Sequence, residues 1–100
     1  MSSRIDVSGA RFELDDSETK ALERELQQLP SERSGAGLVL VGDLERSGAD
    51  GSVVLPEGAA LPALYEALAR YEAAVSNDSG GDLSSKMTQL RLVVHAALDS

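Results

Sequence analysis

Apolar and polar residues alternate at the start of the chain and predict a β-hairpin over residues 3–14. Ser8 and Gly9 separate the two alternating segments, and a glycine there tolerates the positive φ of a tight turn. We therefore expect the sheet to begin with this hairpin. The alternating apolar residues are Ile5 and Val7 in the first strand, and Phe12 and Leu14 in the second.

Leucines at helical spacing follow the hairpin and predict a first helix that ends before Pro30. Asp15 and Glu18 have the spacing of a capping box, in which each side chain binds the backbone N–H of the other residue. The helix therefore starts at a defined residue and presents one narrow apolar stripe. The stripe consists of Leu22, Leu26 and Leu29.

The middle of the chain contains an uninterrupted apolar run, residues 38–41, which predicts a central strand covered on both faces. Residues 31–37 and 42–51 are polar and rich in glycine, and we interpret both as loops. A second strand is predicted over residues 52–55, because Pro56 ends that apolar segment.

Helical spacing returns over residues 57–75 and again over residues 82–98. A strand through residues 90–94 is the alternative for the last segment, since it is rich in apolar and β-branched residues. Residues 76–82, rich in Ser, Asp and Gly, predict a flexible joint before the final helix.

The predicted fold is a small α+β domain of order ββ-α-ββ-α-α, with helices packed on a small, mostly antiparallel sheet. With 100 residues, the chain has the length of a single domain, residues 1–100. A chain of this length buries close to two-thirds of its surface on folding, roughly enough for a core without disulfides.

Residue counts exclude several kinds of chemistry. The chain has no cysteine, which excludes disulfides, thiolate nucleophiles and zinc–thiolate sites. The single histidine, His95, excludes metal motifs that need two histidines. We therefore expect no metal and no cofactor.

The formal net charge is −8, from 17 acidic and 9 basic side chains. Such a surface repels phosphate backbones and anionic lipids, so neither nucleic acid nor a membrane is the expected partner, whereas a basic protein is. Apolar runs are too short to cross a bilayer, and the amino terminus lacks the pattern of a secretory signal. A cytoplasmic location is expected.

Two surfaces are candidates for protein interaction. The first is an acidic face on the predicted first helix: Asp15, Asp16, Glu18, Glu23 and Glu25. The second is the broad apolar side of the last predicted helix, which is either part of the core or a contact with a partner or a second copy. Its members are Leu83, Met87, Leu90, Val93, Val94 and Leu98.

Two further groups have a structural and a chemical interpretation. His95 shares a helical face with Arg91 and Thr88 and is a conceivable general base, although a histidine near a helix carboxyl end is expected from the helix dipole alone. Three acids at 43–50 offer oxygen ligands, but their spacing does not match an EF-hand, which favours a solvated turn. They are Asp43, Glu45 and Asp50.

Three functional hypotheses follow. The first is a non-enzymatic, acidic protein-interaction module, dimeric through the last helix; the second is an antitoxin-like or nucleic-acid-mimicking inhibitor of a basic protein. The third is a small enzyme that uses His95. The helix–strand–strand–helix order predicted for residues 17–75 resembles the leading segment of excisionase-type antitoxin proteins, which implies regulation, although the helix-turn-helix that follows there is absent.

Overall fold

Four helices and three strands are found in the computed structural model, which describes residues 2–77 and 85–99. The α+β class is confirmed, with helices packed on a small, mostly antiparallel sheet. The strands are β1 (Ser3–Val7), β2 (Ala10–Leu14) and β3 (Val53–Val54). The helices are α1 (Asp16–Gln27), α2 (Ser31–Asp50), α3 (Ala60–Asn77) and α4 (Ser85–Asp99).

The sheet has the order β2-β1-β3. Strands β1 and β2 form the predicted antiparallel hairpin, in register from Ser3 opposite Leu14 to Val7 opposite Ala10. Ser8 and Gly9 connect them with φ values of 53° and 85°, as a two-residue turn that matches the strand twist requires. Strand β3 adds to β1 in parallel over two residues.

Helix α1 begins at the predicted capping box. The Glu18 N–H donates to Asp15 Oδ1 at 2.7 Å, and the Asp15 N–H donates to Glu18 Oε1 at 2.9 Å. The predicted leucine stripe is buried, and the helix ends three residues before Pro30. Local sequence signals therefore determine both ends of α1.

The strand predicted at residues 38–41 is wrong, as are the loops predicted on either side of it, because residues 31–50 form α2. Half of the apolar run faces water: Leu38 is 58% and Val39 62% exposed, whereas Leu40 and Val41 are buried. A helix with one side on the core and the other in water explains these exposures, whereas a strand covered on both faces would bury all four residues. Gly51 ends the helix in the left-handed conformation, with φ of 75°.

The elements after α2 follow the remaining predictions. The strand predicted within residues 52–55 is confirmed as β3, and the two later helices are confirmed as α3 and α4. The alternative strand through residues 90–94 is wrong, since these residues are helical. Of the predicted joint, residues 76 and 77 belong to α3, and residues 78–82 lie outside the described residues.

One continuous core lies between the sheet and the helices. Helix α2 packs against α1, α3 and the sheet, while α4 packs against α3 and reaches β1 and β2. The largest fully buried apolar side chains are Ile5, Leu14, Leu22, Leu26, Leu40, Leu44, Leu64, Leu68, Met87, Leu90 and Val94. Among the helices described, none combines the length and hydropathy needed to span a membrane.

Two small residues position α2. At Gly37 the helix lies so close to α1 that an added Cβ atom would be 2.6 Å from the carbonyl oxygen of Leu26. At Ser47 the hydroxyl accepts the backbone N–H of Arg4 at 3.0 Å and donates to the carbonyl oxygen of Ser52 at 2.5 Å. Helix α2 is therefore fixed to α1 near one end and to the sheet near the other.

Candidate protein-interaction site

A groove of about 370 Å³ runs between α1 and α2. Its apolar part includes the side chain of Leu44, and its rim is mostly charged. Three carboxylates and one ammonium group line the groove. The lining residues are Asp16, Thr19, Lys20, Glu23, Leu44, Glu45 and Gly48.

The carboxylates of the groove repel one another. Burial raises the pKa of Glu23, and the negative charges of Glu45 and Asp16 raise it further, while Lys20 acts in the opposite direction. Lys20 forms an ion pair with Asp16, Nζ to Oδ2 at 3.3 Å. The groove therefore carries an excess of negative charge between two helices.

Replacing Glu23 by glutamine should stabilise the protein slightly at pH 7, by about 0.5 kcal/mol or less, because the group is near the surface. The raised pKa means that the ionised form destabilises the fold above the folded-state pKa. That cost shrinks as the pH falls through 4.5, the ordinary pKa, because the carboxyl then becomes protonated in both the folded and the unfolded state. Urea unfolding at pH 7 and pH 4 measures the difference.

Glu57→Gln, a change at an exposed acid, is the control for this comparison. We expect no comparable pH-dependent gain from it. An equal gain for Glu23→Gln at both pH values would contradict the electrostatic origin of the effect.

The acids of the predicted acidic face do not form one surface. Asp16 and Glu23 line the groove, and Asp15 caps α1. Glu18 forms an ion pair with Lys86 of α4 at 3.1 Å, and Glu25 pairs with Arg70 of α3 at 3.5 Å. These two side chains therefore connect helices of the same chain, and only part of the predicted face is directed to the groove.

Glu45 is the groove residue whose role sequence analysis missed. The sequence pattern predicts a loop over residues 42–51 and therefore assigns no neighbour to Glu45. The spacing of Leu40, Leu44 and Ser47, all buried on one side of α2, is the signal that would have placed Glu45 on a helix.

The apolar side of α4 mostly faces the core of its own chain. Met87, Leu90 and Val94 are at most 2% exposed, and Val93 packs partly buried against them. Leu98 is 39% exposed. The sixth predicted member, Leu83, lies outside the described residues. Met87, Leu90 and Val94 are therefore covered by the core of their own chain, whereas Leu98 remains accessible.

His95 is exposed and contacts the ring of Tyr65, with 5.6 Å between the ring centroids. Arg91, on the same helix, pairs with Glu72 of α3. None of the three cavities described for this protein is lined by His95. The geometry therefore gives His95 a tilted ring contact with Tyr65.

The acids at 43–50 are helical and not in the predicted turn. Asp43 and Asp50 line a second cavity of about 270 Å³ together with Arg46, which lies 3.4 Å from Asp43. Hydrogen bonds from the hydroxyl and N–H of Ser52 hold the pKa of Asp50 below its ordinary value. Across residues 2–77 and 85–99, no three acidic or histidine side chains are arranged to hold a metal ion.

Comparisons with protein-family models, with curated proteins and with solved structures find no match for this chain. The order helix–strand–strand–helix, on which the resemblance to excisionase-type antitoxins depended, is replaced here by helix–helix–strand–helix. The functional proposal therefore rests on the residues of this chain and not on a relative.

Proposed function

We propose that the protein is a non-enzymatic, acidic protein-interaction module whose α1–α2 groove receives a basic side chain of a protein partner. The observation that supports this is that Glu23 of α1 and Glu45 of α2 line the same groove, where burial and then the negative charge of Glu45 raise the pKa of Glu23. A Lys or Arg side chain between them would relieve this repulsion and would lay its methylene groups along the apolar part of the groove.

The net charge of the whole chain also favours a basic partner. With a net charge of −8, the protein attracts basic partners over a distance and disfavours acidic ones. Charge complementarity of this kind raises association rates and weakens as salt is added. We therefore expect binding to decrease with ionic strength.

An inhibitor that competes with nucleic acid for a basic protein is the second candidate, and the same net charge supports it. The two candidates differ in what displaces the chain from its partner. If the chain is an inhibitor of this kind, added nucleic acid should displace it from its partner. If the chain binds its partner away from a nucleic-acid site, added nucleic acid should leave the complex intact.

A peptide titration followed by ¹H–¹⁵N NMR tests the groove. The probe is a capped hexapeptide of alternating leucine and arginine. We expect chemical-shift changes at the backbone amides of Thr19, Leu44 and Gly48, which line the groove. The double variant Glu23→Gln/Glu45→Gln should weaken peptide binding about tenfold or more, equivalent to roughly 1.4 kcal/mol.

The matched control is Glu57→Gln/Asp99→Asn, which changes the net charge equally at exposed positions outside the groove. We expect it to keep most of the affinity. Equal losses in the two double variants, or shifts spread over the whole surface, would overturn the proposal in favour of general charge attraction.

A further inference from the structure

One side of α2 faces water and carries the most exposed apolar side chains of that helix. Leu38 is 58% and Val39 62% exposed. An added Cβ atom at Gly35 or Gly42 would meet nothing within 4 Å. Positions spaced by three, four or seven residues share one side of a helix. We call this side the outer face of α2: Gly35, Leu38, Val39, Gly42, Arg46 and Ala49.

We propose that two copies of the chain associate through the outer faces of antiparallel α2 helices. The proposal is independent of the groove, whose lining residue Leu44 is buried on another side of α2. It also differs from the predicted dimer through the last helix, because Met87 and Leu90 are occupied within the core.

Charge complementarity selects a second copy as the occupant. Glu32, Val39 and Arg46 are spaced by seven residues and therefore lie along the same edge of the outer face. With two antiparallel helices centred on Val39, Glu32 of each copy lies opposite Arg46 of the other. Arg46 is exposed over 68% of its side chain even with Asp43 at 3.4 Å, so it can reach across.

The same pattern favours the antiparallel arrangement over a parallel one. In a parallel twofold dimer, the edge that carries Glu32 and Arg46 would face the opposite edge of the partner helix, so these ion pairs would not form. The antiparallel arrangement instead gives two symmetric ion pairs, which suits the twofold symmetry of most homodimers.

The glycines fit this register. Gly35 and Gly42 lie at almost equal distances on either side of Val39, so Gly35 of one copy faces Gly42 of the other. The absence of side chains at both positions leaves room for Leu38 and Val39 of the opposite helix. Leu38 and Val39 are the only large apolar side chains on this face, and two copies that each carry a net charge of −8 repel one another, so we expect weak, reversible association.

Sedimentation equilibrium of the full chain over a wide concentration range tests the proposal. We expect a monomer–dimer equilibrium for the wild type. Leu38→Ser/Val39→Ser should weaken dimerisation at least tenfold, whereas Leu55→Ser, at a side chain that is also 62% exposed, should leave it unchanged. Thermal unfolding verifies that each variant is folded.

Charge reversal tests the register. Glu32→Arg alone and Arg46→Glu alone should each weaken dimerisation, because every ion pair becomes a repulsion. The double variant Glu32→Arg/Arg46→Glu should restore it, and the two single variants should associate when mixed. A monomeric wild type at every concentration, or a double variant weaker than either single one, would overturn the proposal. Peptide binding in the groove would then still be measurable, so the two proposals fail separately.

Discussion

Replacing Gly37 by alanine should destabilise the fold by about 2 kcal/mol or more, although alanine is the better helix former. The added Cβ atom would lie 2.6 Å from the carbonyl oxygen of Leu26 and 3.2 Å from Cδ1 of Leu29. The first of these atoms belongs to the backbone of α1, so the clash is relieved only if α1 and α2 move apart. That movement would loosen the core in which Leu26 and Leu40 are both buried.

Gly42→Ala is the matched control, because it changes the same helix at a position with nothing within 4 Å. It should stabilise the protein by about 0.5–1 kcal/mol, the gain expected for Gly to Ala in a helix interior. Urea unfolding followed by circular dichroism, at the lowest practical protein concentration, gives both values. Equal stabilities for the two variants would show that α1 and α2 are not in close contact at Gly37.

The parts of the fold that sequence analysis predicts correctly depend on local chemistry. The turn at Ser8 and Gly9 needs positive φ at both positions, and the capping box needs an acid and a glutamate three residues apart. Each of these signals involves only neighbouring residues. Such features are readable without knowledge of what packs against them.

Helix α2 was not predictable in this way, because a short apolar run suits a buried strand and a buried helix equally. The run 38–41 is divided between the core and water because α2 packs against α1, α3 and the sheet, and the sequence of the run does not specify these contacts. Its glycines favour loops by propensity, yet Gly37 is needed for the contact with α1. Tertiary packing therefore outweighs local preference across residues 31–50.

The candidate site, like the fold, is predictable from the sequence only where the signal lies within one helix. Glu23 was predicted as part of an acidic face, since acids recur along α1. The groove forms because α2 packs against α1 and contributes Glu45 to its lining, and the pairing of two helices cannot be inferred from the composition of one. Intramolecular ion pairs such as Glu25 with Arg70 are likewise invisible in the sequence.

The apolar side of α4 poses the second large test, because the sequence alone fits both a core helix and a partner contact. Leu90→Ala should destabilise the protein by about 3 kcal/mol, within the range for a fully buried leucine that leaves a cavity. Leu92→Ala, two residues away at a side chain that is 48% exposed, should change stability by about 0.5 kcal/mol or less. Chemical unfolding of the two variants under identical conditions measures the contrast.

Measuring the two variants at several protein concentrations distinguishes a contact within one chain from a contact between two copies. Loss of a core contact lowers stability at every protein concentration, whereas loss of a dimer contact lowers it only where the dimer is populated. We therefore expect the Leu90→Ala penalty to be independent of concentration. A penalty that vanishes on dilution would show that Leu90 lies in an interface between two copies. The last helix would then be the dimer contact. A constant penalty would show that Leu90 packs within the core of a single chain.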